Sequence, residues 1–81
     1  MKTIIEIVGV GERRAGTGKT GKPYDIVSVA FTYEDKRMNG VNAGNCVIDG
    51  AEIEKHGISP GTTLEVVLMY RNYQPYIAVI L

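Results

Sequence analysis

Apolar and polar positions alternate with a period of two along most of the chain, the spacing of strands with one buried face. Residues 2–10, KTIIEIVGV, set Ile5 and Ile7 on one face and Ile4, Glu6, Val8 and Val10 on the other. The β-branched content fits a strand, and Gly9 and Gly11 predict a bulge or sharp coil near its end. Residues 24–33 alternate more cleanly. Tyr24, Ile26, Ser28, Ala30 and Thr32 share one face; Asp25, Val27, Val29, Phe31 and Tyr33 share the other. Only the second face is rich enough to be core, so Tyr24 and Ile26 point away from it. VNAGNCVI (41–48) is a weaker strand, loosened by Gly44. TTLEVVLMY (62–70) aligns Leu64, Val66 and Leu68, and YIAVIL (76–81) is apolar to its last residue.

The connections carry turn chemistry. EDKRMNG (34–40) ends in Asn-Gly, ISPG is a turn, and RNYQP reads as a hairpin turn. DGAEIEKHG (49–57) offers Asp49 as a cap and Gly57 as a stop, enough for one or two helical turns. The fold class is therefore all-β. Five short antiparallel strands and at most one small helix predict a small closed or partly open barrel with protruding hairpins. The 81 residues make one domain, with no internal repeat. A chain this short buries roughly 60% of its unfolded surface, so a second copy is expected to help stabilise it. The apolar final strand points the same way.

The segment between the first two strands breaks the pattern. Residues 12–22 hold almost no bulky apolar side chain. Arg13, Arg14, Lys19 and Lys22 stand against the single anion Glu12, a local charge of +3 in a chain of zero formal net charge. The molecule is no bulk polycation, but local fields decide binding. The glycines at 16, 18 and 21 suit a tight hairpin tip. Three features mark this arm as more than a solvated loop: it lacks compensating acid, it has no apolar anchor, and it runs directly into Tyr24. A cationic arm beside an exposed ring suits a polyanion with stackable bases. Tyr70, Tyr73 and Tyr76 around Arg71 and Gln74 make a second aromatic and cationic patch.

Other chemistry fails on spacing. AGTGKT is not a phosphate-binding loop: Arg13 stands where that pattern needs glycine, and Gly21 and Pro23 forbid the following helix. Gly9 and Gly11 lack the third glycine of a dinucleotide fingerprint. His56 lies in a polar segment and reads as a solvated residue. The single Cys46 reads as a buried inert thiol, without a disulfide partner. The two together cannot supply a zinc site, so no metal or cofactor is implied, and a reducing, cytoplasmic setting fits. No nucleophile, base and orienting group can be assembled, so an enzyme is not expected. No apolar run reaches the ~20 residues of a membrane span, and MKTIIEIVGV, interrupted by Glu6, reads as a strand rather than a signal peptide.

The run TGKTGKPYDIVSVAFTY resembles the wing and following strand of the filamentous-phage single-stranded DNA-binding proteins, the gene-five type. Gly21, Lys22, Pro23 and Tyr24 match that family's signature in register, with Arg14 and Lys19 at cationic wing positions. ISPGTTLEVVLMYRNYQPYIAVI is similar to its Pro-Gly turn, strand, aromatic hairpin and closing strand. Arg71 falls at a basic position there, and Tyr73 or Tyr76 near an aromatic one. The two segments cover about half of the chain. The resemblance implies a five-stranded OB-type barrel, homodimeric, that coats viral single strands cooperatively and without sequence preference during replication and before packaging. It also implies that Arg14, Lys19 and Lys22 of the wing (about 11–23) take phosphates. Tyr24 and Ile26 meet bases, and the 68–78 hairpin forms the dimer dyad. Residues 34–56 fall outside the resemblance, and Lys36 and Arg37 there are candidates on charge alone. Two rivals remain. HGISPGTTLEVVL is similar to the turn and strand of swapped-hairpin duplex-DNA regulators, and a homodimeric protein-interaction module would use the same apolar end.

Overall fold

The computed structural model describes residues 1–81. Its elements are β1 (Lys2–Thr17), β2 (Pro23–Glu34), β3 (Val41–Asp49), α1 (Gly50–His56), β4 (Thr63–Arg71) and β5 (Gln74–Ile80). The five strands pair antiparallel in one sheet, ordered β3-β2-β1-β4-β5.

The first strand is longer than its apolar pattern suggests. The expected arm of residues 11–22 is not a free loop: β1 runs to Thr17, with Arg13 opposite Val27 and Gly16 opposite Tyr24. Backbone hydrogen bonds to β2 hold the arm where its side chains offer no apolar anchor. Register shifts between Ile7 and Gly9 and between Val10 and Arg13 fall at the glycines, as expected of bulges. They separate the half of β1 that pairs with both β2 and β4 from the half that only the wing shares. Lys2–Glu6 lie against Val67–Thr63 of β4.

The β2 face expected to be core is buried, and one alternating face of β1 and of β4 joins it. Ile5, Ile7, Val27, Val29, Phe31, Tyr33, Val66 and Leu68 form the core with Ile48, Ile58 and Ile77. The helix α1 stops at Gly57, whose φ of 60° is left-handed, and Ile58 N–H bonds back to the Ile53 carbonyl at 3.0 Å. Asp49 occupies the N-cap position, but its side chain makes no capping hydrogen bond.

The sheet is not closed by hydrogen bonds; β3 and β5 remain its edges. They nevertheless lean together. A Cβ on Gly44 of β3 would lie 2.7 Å from Phe31 Cζ and 2.8 Å from Pro75 Cγ. Pro75 in β5 has no N–H to offer an edge ladder. No helix is long and apolar enough to cross a membrane.

This topology fixes where the connections lie. The wing tip sits at one end of β2, and the β2–β3 and β4–β5 connections sit at the other. Twelve residues of strand separate the ends, about 36 Å at ~3.3 Å per residue, within a molecule 44 × 28 × 20 Å across.

Candidate nucleic-acid interface

At the wing, residues paired across the hairpin point to the same side. Tyr24 and Gly16 share the outer face, and Arg14 shares it with Ile26. The Tyr24 ring lies across Gly16; a Cβ there would sit 2.9 Å from Tyr24 Oη. Glycine at 16 thus lets the ring rest on the backbone of β1. Tyr24 stays 44% exposed, with Ile26 half-buried beside it. The tip is tied by hydrogen bonds from Gly18 N–H to the Lys22 carbonyl (2.8 Å) and from Gly21 N–H to the Gly18 carbonyl (2.9 Å). Arg14, Lys19 and Lys22 are exposed and make no salt bridge.

Arg13 is different. It faces the other side of the hairpin, where its Nε donates to Asp25 Oδ1 at 2.7 Å and its guanidinium also reaches Asp25 Oδ2 and Glu54. The arm does have compensating acid, supplied from β2 and α1, and the sequence reading missed it because Asp25 and Glu54 lie outside the arm. The guanidinium holds the Asp25 carboxyl below the usual carboxylate range. Arg13 therefore joins the wing's base to the helix, and the wing's unpaired cations number three rather than four.

At the far end the three tyrosines do not form one patch. Tyr76 lies on the outer face beside Met69, with the Arg71 guanidinium 5.4 Å from its ring centroid. Tyr73 projects from the hairpin tip, 101% exposed. Tyr70 continues the core face of β4, and its hydroxyl lies 2.9 Å from that of Tyr33, which is 2% exposed. Burial and the hydrogen bond to Tyr70 push the Tyr33 phenol up to about 12. Asn42 Nδ2 donates to Tyr33 Oη at 3.1 Å, and Asn42 Oδ1 accepts from Ala43 N–H at 2.8 Å. Nearby, Arg37 folds back on Asp35, donating from Nε at 3.1 Å and Nη2 at 3.0 Å. This fork holds the Asp35 carboxyl down at about 2. Lys36 is exposed and unpaired. Arg37, Asn42, Tyr70, Asn72 and Tyr73 line a recess of about 580 Å³. Nothing in the sequence pattern singles out Asn42 or Asn72; strand register brings them there.

A larger groove, about 710 Å³, lies on the outer face of the distal half, and its charged rim is Lys2, Glu6, Glu34 and Glu65. Three carboxylates against one ammonium repel phosphate, so its size does not make it a nucleic-acid site. It also leaves no continuous basic track from wing to recess within one protomer. His56 Nε2 sits 2.9 Å from Glu52 Oε2, one helical turn back, and no nucleophile accompanies it. The Cys46 thiol is half-buried, and burial pushes its pKa up, away from reactivity.

A scan against protein-family models, a search of curated proteins and a search of solved structures each find no match.

Proposed function

We propose that this protein binds single-stranded DNA without sequence preference, as an OB-type domain that coats viral strands during replication and before packaging. The observation that carries the reading is the wing. An exposed ring rests on a glycine backbone, and three unpaired cations lie on the same hairpin. Stacking on Tyr24 contributes on the order of 1–3 kcal/mol per base, whatever the base. Arg14, Lys19 and Lys22 release counterions from the phosphates they neutralise. Ile26 extends the apolar surface beside the ring, and Tyr73, Arg71 and Tyr76 offer a second grip at the far end.

The strand order, the helix between β3 and β4, and the leaning of β3 on β5 support the OB-type assignment. Homodimerisation fits two features. The outer face exposes Ile4, Met69, Val79 and Leu81, and the wing and the distal hairpin need a neighbouring copy to work side by side. Such assembly along a strand gives cooperativity. The setting is the host cytoplasm.

Tyrosine emission, with no tryptophan to mask it, is the probe. Adding oligo-dT at low ionic strength quenches it. If Lys36 joins the three wing cations, the affinity falls with salt at a log–log slope of roughly −3, about −0.7 per phosphate. Tighter, sequence-dependent protection of a duplex identifies the regulator instead. A tyrosine signal indifferent to all nucleic acid leaves the interaction module.

A further inference from the structure

The hydrogen bonds around Tyr33 fix the direction of a proton. Ala43 N–H can only donate, so the Asn42 atom that meets it must be the oxygen. The Asn42 amide nitrogen then faces Tyr33 Oη at 3.1 Å and Asp35 Oδ2 at 3.4 Å. Asp35 stays ionised under the Arg37 fork, which suits an N–H donor beside it. Tyr33 Oη is thus already an acceptor. Its own hydrogen is buried, and the one remaining partner in reach is Tyr70 Oη at 2.9 Å. Leaving that hydrogen unpaired would cost about 1–3 kcal/mol. Tyr33 therefore donates to Tyr70, and Tyr70 keeps its own hydrogen free to point into the recess.

Arg37 adds a second donor. Its Nε and Nη2 bind Asp35, its guanidinium lies against Tyr70, and Arg37 lines the same recess. The rim supplies the exposed Tyr73 ring and the Asn72 amide. The fixed groups are donors: Asp35 is occupied and Tyr33 Oη is spoken for. Donors converging on one recess suit a group made of acceptors. Phosphate is that group in a nucleic acid.

We infer that the recess is a phosphate site, with the Tyr70 hydroxyl and the Arg37 guanidinium as its donors and Tyr33 and Asn42 as positioning residues. It rests on the single-strand reading, and it adds a grip about 36 Å from the wing tip by the length of β2. The phosphate can be an internal diester of the strand or a terminal monoester.

The test compares wild type with Tyr70→Phe, which keeps the ring and deletes the donor. The ligands are dT8, dT8 with a 5′-phosphate, and dT8 with a methylphosphonate backbone. The expected result is a roughly tenfold loss on dT8 for the variant, the scale of one hydrogen bond to a charged group, and no loss on the neutral backbone. An equal loss on both backbones, or none on either, overturns the proposal. A larger loss on the 5′-phosphorylated strand than on dT8 assigns the site to the terminal group; equal losses assign it to the diester. Phosphorus NMR of dTMP separates this inference from the wider reading. Broadening by wild type and not by Tyr70→Phe upholds the recess even if dT8 fails to bind. Broadening that is equal in both, or absent from both, overturns the recess even if dT8 binds.

Discussion

Replacing Tyr73 by glycine should raise stability and lower affinity together. Arg71 pairs with Gln74, so Asn72 and Tyr73 form a two-residue hairpin loop, with φ of 52° and 64°. Positive φ at both central positions is the type I′ pattern, whose favoured sequence is Asn-Gly. Asn72 suits its place; Tyr73 does not. Holding a residue with a Cβ in the left-handed region costs about 1–2 kcal/mol. Glycine removes that strain but loosens the unfolded chain, which takes back about 0.4–1 kcal/mol. Tyr73 is fully exposed, so no packing is lost. The net gain is about 0.5–1 kcal/mol, or roughly 3–6 °C in Tm for a domain of this size. Against it stands one stacked base, on the order of 1–3 kcal/mol, a loss of roughly 5- to 150-fold for oligo-dT. Tyr73→Ala separates the two effects, because alanine keeps the strain: its affinity should fall equally while Tm does not rise. The assay is thermal unfolding by circular dichroism beside tyrosine-quenching titration. A lower Tm for Tyr73→Gly refutes the strain argument, and unchanged affinity refutes the binding role.

Tyr24→Ala should weaken binding to all oligonucleotides alike while leaving the salt slope unchanged, whereas Arg14→Ala should make that slope shallower by about 0.7; equal slopes in the two variants count against this division of labour. Gly44→Ala forces a methyl against Phe31 and the rigid Pro75 ring, so it should cost about 1–3 kcal/mol and lower Tm by roughly 5–15 °C; a melting curve like wild type would show that β3 and β5 do not lean together. The Asp35 carboxyl titrates near 3.8 when unfolded and at about 2 when folded. Its contribution is therefore present above pH 4 and fades as the pH falls towards 2, a dependence that urea titrations of Asp35→Asn should lack.

The sheet's two polar ends also have different physics. The wing is a hairpin held almost entirely by its own ladder, and its charges are free because nothing packs against its outer face. The distal end is built on the core. Tyr33 and Tyr70 extend the buried faces of β2 and β4, and their hydroxyls meet where the apolar interior runs out. On the proposed single-strand reading, the wing takes a mobile polyanion whose bases vary and the distal recess takes a single phosphate.

Period-two alternation was sufficient to outline the strands and to choose the buried face of β2, because a pleated strand puts every second side chain on one side whatever lies around it. It put Val27, Val29, Phe31 and Tyr33 inside and left Tyr24 out. Gly57 announced the helix stop because its left-handed turn is a local backbone requirement. The length of β1 was not legible in this way, since cross-strand hydrogen bonds extend it through residues that carry no apolar signal. Nor was the partner of Arg13: Asp25 lies 12 residues away and Glu54 lies 41 away, and only folding brings them together. The splitting of Tyr70, Tyr73 and Tyr76 among the core face, the tip and the outer face came from register and a two-residue turn. The Tyr33–Tyr70–Asn42 chain came from three strands meeting at one end of the core. Alternation is a property of neighbours in the chain, whereas charge pairing and proton direction belong to neighbours in space, and that is why the tertiary structure alone decided them.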